Sequence, residues 1–352
     1  MKLNPTRVVL FFLSAFLLTA CGGGGDGGGG SDGGGSSGSG YTQLFNPLMP
    51  LLSGSTFEYH DSAAGLVTAD ISKDTDTSTS TNKSIYRIAY NFADNPLSLL
   101  VESTATQISL YGIDGPVVVN VPELGGDTEV DEIRLKQPII IYSNDSSLLS
   151  DSIAATAHVS SPYANGTVNL NLSYTKAETT DEYAENGEFG EGDLPIIISS
   201  IEIVVETISI PLLPAKTVNL PITTELSLAP GLGIVKHVGN YISLNAASDI
   251  ADIKKLPYPI WFNYNLGSPS AVSDPTFATS EGYVSSTTYK VANQNDLNDL
   301  GWLTIEEDTA SETYNVTLQN HANLPDTLTS VEVVFEDRTT GERMSGNVTL
   351  LP

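Results

Sequence analysis

Residues Thr167 to Thr175 alternate without a break. Val168, Leu170, Leu172 and Tyr174 fall on one side, Asn169, Asn171 and Ser173 on the other. A period of two marks a strand with one dry face and one wet face. Short runs of the same kind, bounded by turn residues, recur at Thr56–His60, Ser84–Asn91, Ser98–Glu102, Thr106–Gly112, Val117–Val121, Glu132–Leu135, Pro138–Ser143 and Ile153–Ser160. Nowhere does a 3.6-residue apolar stripe persist for ten residues, so the pattern predicts an all-β protein.

Leu194 to Pro211 is the most apolar long run, and Ser199-Ser200 interrupt it. It predicts a bent or bulged central strand, buried on much of both faces. Thr217–Pro221 and Thr224–Leu228 follow. Ala229-Pro230-Gly231-Leu232-Gly233 then predicts a tight turn into Ile234–Val238, because proline fixes φ and glycine tolerates positive φ. Upstream, Phe45 to Leu52 is apolar but twice interrupted by proline, which suits an extended lead-in. Beyond Pro257 the expected strands are Ile260–Tyr264, Gly282–Val291, Trp302–Glu306, Thr313–Leu318, Ser330–Glu336 and Arg343–Leu350, with Gly341 in the last turn.

The N-terminus follows different rules. Lys2 and Arg7 precede an eleven-residue apolar core, Val8 to Leu18, which is too short to span a bilayer as a helix. Leu18-Thr19-Ala20-Cys21 closes it and contains the single cysteine. This quartet resembles the lipobox of bacterial lipoproteins. The resemblance implies cleavage before Cys21, lipid attachment to its sulfur, and a membrane partner reached through that anchor. Gly22, rather than Asp, follows the cysteine, which implies outer-membrane delivery with the periplasmic or cell-surface face left open. Gly22 to Gly40 is a Gly/Ser/Asp tract with nothing to bury, expected to act as a flexible tether of roughly 25 Å typical span. Within it, matches to G-x-G-x-x-G and G-x-S-x-G lack the strand and helix their chemistry requires.

The expected organisation is therefore a signal peptide (1–20), an acylated cysteine with its tether (21–40), a curved antiparallel sheet or half-barrel (41–245), a linker (246–256) and an immunoglobulin-like β-sandwich (257–352). Glu225 to Gly239 is similar to the closing hairpin of bacterial lipoproteins built as curved antiparallel sheets. That likeness implies a concave apolar face for a hydrophobic ligand or a partner protein. Trp302–Ile305, Tyr314–Leu318 and Val331–Phe335 resemble strands of BACON-type immunoglobulin-like modules. Leu328-Thr329 stand where those modules carry an arginine, which weakens the glycan binding that the resemblance implies.

Composition narrows the partners. Forty-two acidic residues against fifteen basic ones give a net charge of −27. The signal contains two of those basic residues and no acid. Such a charge repels nucleic acid and anionic lipid. It accommodates divalent cations. Asp181, Glu185, Glu188, Glu191 and Asp193 crowd a glycine-containing loop that could wrap a Ca²⁺ ion, or simply stay solvated between two strands. Asp74 to Ser78 begins like an EF-hand loop, but Thr79 occupies the glycine position and Ile85 the position of the bidentate glutamate. The four histidines are scattered and none opens H-E-x-x-H. Trp261 shares a strand face with Asn263 and Asn265, where it could stack on a sugar, or it packs between the two domains.

Two functions follow as expectations. One is a non-enzymatic lipoprotein that binds or presents an apolar ligand, a glycan or a protein partner. The other is a polysaccharide hydrolase with the sandwich as accessory, which needs two carboxylates roughly 5–9.5 Å apart in an aromatic cleft.

Overall fold

A strand with one dry face must enclose that face, and a sheet of such strands can do so by curling until its edges meet. The computed structural model describes residues 45–351 except 62–64, 93–95, 146, 163, 184–193, 212–213, 240–242, 247–253, 264–269, 272–274, 320–323 and 326–327. Its first strands are β1 (Thr56–Asp61), β2 (Gly65–Lys73), β3 (Tyr86–Tyr90), β4 (Leu97–Ser103), β5 (Gln107–Val121) and β6 (Gly126–Ser143). Then come β7 (Leu148–Ser160), β8 (Asn165–Tyr183), β9 (Leu194–Ser209), β10 (Lys216–Ala229), β11 (Gly233–Gly239) and β12 (Ser243–Ala246). Each pairs antiparallel with its neighbour in sequence. The ring closes where Tyr59 of β1 meets Ala246 of β12. The protein is all-β, and its curved antiparallel sheet goes further than a half-barrel by joining its own ends.

The phase of alternation decides what lies inside. Val168, Leu170, Leu172 and Tyr174 of β8 are buried in the barrel core, while Thr167, Asn169, Asn171 and Thr175 are exposed. A membrane-spanning barrel needs the opposite arrangement, an apolar outer band. β8 instead turns its polar residues outward and its apolar residues into the lumen. No helix among the described residues is long and apolar enough to cross a membrane.

Several runs that read as separate strands are continuous. Thr106–Gly112 and Val117–Val121 both belong to β5, with Gly115-Pro116 inside it as an irregularity rather than a turn. β9 is one strand through Ser199-Ser200. Ser199 points inward, donating its hydroxyl to the Ile141 carbonyl, and shares its buried face with Ile201, Ile203 and Val205, while Ile196, at the opposite phase, is buried on the other face near the start of the strand. The register shift in β9 falls instead beside Glu206, opposite Asn171–Leu172. The polar stretch after β2 contains a short helix, α1 (Thr75–Thr81), where Asp74 accepts from the Thr77 N–H as N-cap at 2.8 Å.

One end of the barrel is plugged by the lead-in. Pro47 and Pro50 keep it out of the sheet. A turn forms through Met49 N–H to the Asn46 carbonyl. Asn46 N–H donates to Ser103 Oγ, which donates on to the Met49 carbonyl. Phe45, Leu48, Met49 and Leu51 thereby seal the core from below.

The chain then forms β13 (Ile260–Asn263), β14 (Ser270–Ala271), β15 (Ala278–Thr279), β16 (Gly282–Tyr283), β17 (Tyr289–Val291), α2 (Gln294–Asp299), β18 (Leu303–Asp308), β19 (Thr313–Leu318), β20 (Thr329–Asp337) and β21 (Arg343–Leu351). The main sheet has the order β14-β13-β21-β20-β17, with β13 parallel to β21. It shares one core with the hairpin β18–β19, centred on Phe277, Tyr314 and Phe335, whose rings meet Phe335 at 5.0 and 5.5 Å. The pairings define a five-stranded sheet and a hairpin about one core, a coarser description than an immunoglobulin-like strand order. Gly231, at φ +80°, lies in the β10–β11 turn against this module. A Cβ there would fall 2.5 Å from Pro259 Cβ. Gly231→Ala is expected to lower the unfolding free energy by about 2 kcal/mol, read from urea denaturation.

Candidate functional site

The twelve strands are unequal, and the inequality makes the site. β4 pairs with β5 no further than Ser98–Asp114, and β11 pairs with β10 no further than Thr224–Gly239. β5 nevertheless runs on to Val121, and β10 begins at Lys216. Six strands, β5 to β10, therefore project beyond the closed ring as a curved wall. Register shifts lie in the projecting strands between Asp114 and Val117, Val130 and Glu132, Asn171 and Leu172, and Thr217 and Leu220, with others inside the ring. Bulges bend strands and increase their twist. Here they turn the projecting ends over the lumen. Gly115 sits at the departure point with φ +130°, and a Cβ there would lie 2.1 Å from the Pro96 carbonyl oxygen. Gly115→Ala is expected to destabilise the fold by about 2–3 kcal/mol, measured by urea denaturation.

Inside the wall lies an apolar cavity of ≈ 110 Å³. Val159, Val168 and Leu170 form its buried back, with buried Val119 of β5 at one side and half-buried Leu220 and Ile222 of β10 at the other. A second space of ≈ 60 Å³ adjoins it towards the ring, sharing Ile113, Ile133, Leu170, Val205 and Ile222. Polar groups are few. Thr128 is buried and turns its hydroxyl onto the Gly126 carbonyl. Glu132 stands at the rim, half in solvent, with Arg134 Nε 3.4 Å away.

Deeper in the ring is a layer of polar side chains that face inward. Lys176 continues the inward phase of β8 and forms an ion pair with Glu178; both side chains are buried. His237 of β11 is 4 % exposed and shares a hydrogen bond between Nε2 and Thr224 Oγ1 at 3.0 Å. Burial pushes the His237 imidazole down to about pKa 4, so it is neutral at pH 7. The Tyr90 ring lies 5.9 Å from it, and Tyr59 packs edge-on against Tyr90. Burial also raises both phenols well above their ordinary range. None of these groups lines the apolar cavity.

The residues singled out from sequence are dispersed. Cys21 lies outside the described residues, as do Glu185, Glu188, Glu191 and Asp193 of the acidic loop. Asp181 is exposed near the end of β8, accepting from the Glu182 N–H. Among the described residues no group of three or more His, Cys, Asp or Glu converges to hold a metal ion. Trp261 corrects the sugar-stacking expectation. It is 2 % exposed and belongs to the barrel core, while its strand neighbours Ile260 and Phe262 belong to the second core. Its ring is buried, so no face is left to meet a glycan. Of the histidines, His158 is held by Asp131 at 3.1 Å on the outer wall, with both side chains about half exposed.

The cavity was not read from sequence as a set of residues. Its signal was present in the phases of β7, β8 and β9, which place Val159, Val168 and Val205 on one side. What was missing was the extent of each strand past its neighbours. No family model, curated protein or solved structure matches the chain.

Proposed function

We propose that this protein is a non-enzymatic binding protein whose projecting barrel wall takes up an apolar ligand. The proposal extends to its setting: lipid attachment at Cys21, a glycine-rich tether and delivery to the outer membrane. One observation carries the binding reading. The chamber between β5 and β10 is lined almost wholly by Val, Leu and Ile, and it sits at the end of the barrel away from the plug. An apolar cavity of ~150 Å³ stays dry and accepts benzene-sized guests. The two adjoining spaces are of that order. Small-molecule sites are concave and mostly apolar, with a few polar groups that fix orientation. A strongly acidic surface supports the exclusion of nucleic acid as a partner.

Fluorescence titration with 1-aminoanthracene tests it. Saturable binding is expected, displaced by short-chain fatty acids. Leu220→Trp, at the half-buried side of the chamber, is expected to weaken binding about tenfold, equivalent to ~1.4 kcal/mol, while leaving the unfolding midpoint near that of the parent. Absence of saturable binding by the parent chain would remove the proposal.

A further inference from the structure

Resting on the binding role proposed above, we infer that the chamber loads sideways, through the seam between β5 and β10, and that its occupant is an unbranched aliphatic chain. Past Asp114 and before Thr224, these two strands pair only with β6 and β9 among the described residues. Residues 115–121 and 216–222 thus each present an edge with no ladder partner among the described residues. The two edges flank the same cavity, through Val117, Val119 and Val121 on one side and Leu220 and Ile222 on the other.

Exposure is uneven around the chamber. Val168, Val159 and Ala157, on the wall opposite, are buried, as are Val119 and Val121 of the β5 edge, whereas Val117, Leu220 and Ile222 are only half-buried. Val118, pointing outward on the β5 edge, is 57 % exposed and extends the apolar surface onto the outside. The apolar interior therefore reaches solvent beside Val117 and along Leu220 and Ile222. The seam is bounded at both ends. Gly115 presses against Pro96 at its base, and Lys216 Nζ donates to the Glu123 carbonyl at 2.6 Å across its tip.

An open strand edge ordinarily invites a peptide strand. Both edges are blunted against this by a proline within the free segment, Pro116 and Pro221, each lacking an N–H to donate. An aliphatic chain asks for no hydrogen bonds. It can lie between the edges with its methylenes against Val119, Leu170 and Leu220, leaving the backbone groups outside to water. The Lys216 contact is a single solvent-exposed latch, light enough to open for entry.

The test is photolabelling of the full chain in lipid vesicles with a fatty acid carrying an aliphatic diazirine, followed by peptide mass mapping. Labels on both 115–121 and 216–222 are expected. Labels on Val159 or Val168 without either edge would overturn the seam while leaving the binding role intact. No label inside the barrel would overturn both. Lys216→Ala is expected to speed ligand exchange about fivefold, the effect of losing one modest hydrogen bond. An unchanged rate would count against entry at the seam. Added alternating Val-Thr peptide is expected to leave amide exchange along 117–121 unaltered, and slowing there would overturn the aliphatic assignment in favour of strand addition.

Discussion

Replacing Lys176 with methionine is expected to lower the unfolding free energy by ~3–5 kcal/mol, because it strands the buried Glu178 carboxylate without its cation. Lys176 has a fully buried side chain and Glu178 one that is 9 % exposed, and they pair inside the barrel. Methionine matches the lysine stem in length and packs readily, so lost volume is not the cause. A second variant separates the two effects. Lys176→Met with Glu178→Gln removes both charges and keeps an acceptor for the Ser143 N–H, which now donates to Glu178 Oε1 at 3.3 Å. The double variant is expected to recover most of the loss, since exchanging a buried ion pair for neutral groups is often nearly neutral. Urea denaturation of the parent, single and double variants checks this. A single-variant loss below ~1 kcal/mol would mean that water reaches Glu178.

Acid is expected to weaken the barrel through His237. Its folded pKa of about 4 lies below the usual value of 6.5, because burial disfavours the imidazolium. The unfolded chain therefore binds the proton more readily than the folded one. Stability from this group is complete above pH 6.5 and is lost as pH falls towards 4, amounting to roughly 3 kcal/mol across that window. Carboxylates held low lose stability in the same direction at lower pH; in Asp74 the opposing effect of burial is outweighed by the hydrogen bonds from Thr77 and, after them, by Arg87. A difference experiment isolates the imidazole. The unfolding free energy of the parent minus that of His237→Leu is expected to shrink steadily from pH 6.5 to 4. A difference that stays flat would show that the ring is solvated in the folded chain.

How much of this was legible beforehand depends on which residues are asked. The all-β class and the β10–β11 hairpin follow from alternation and from Pro230 and Gly231, which are local signals. The inward placement of Lys176 was also available. It continues the phase of Val168, Leu170, Leu172 and Tyr174, and only its charge discouraged that reading. Closure of the ring was not available, because the pairing of Tyr59 with Ala246 joins strands at opposite ends of the sheet and leaves no local trace. Bulge positions were misplaced for a related reason. Ser199-Ser200 look like a break, yet Ser199 is satisfied by the Ile141 carbonyl inside the barrel. The actual shift beside Glu206 depends on the register with β8 and β10. Trp261 illustrates the remaining gap. A tryptophan beside asparagines can serve as a platform or as core, and only its tertiary burial in the barrel core decides.

The chamber between β5 and β10 is the feature on which the functional account stands. A crystal structure of the chain grown with decanoic acid tests it directly. The account predicts density for the alkyl chain inside the wall, against Val119, Val168, Leu170 and Leu220. An empty lumen, with decanoate absent or resting on the outer face of the barrel, would contradict it.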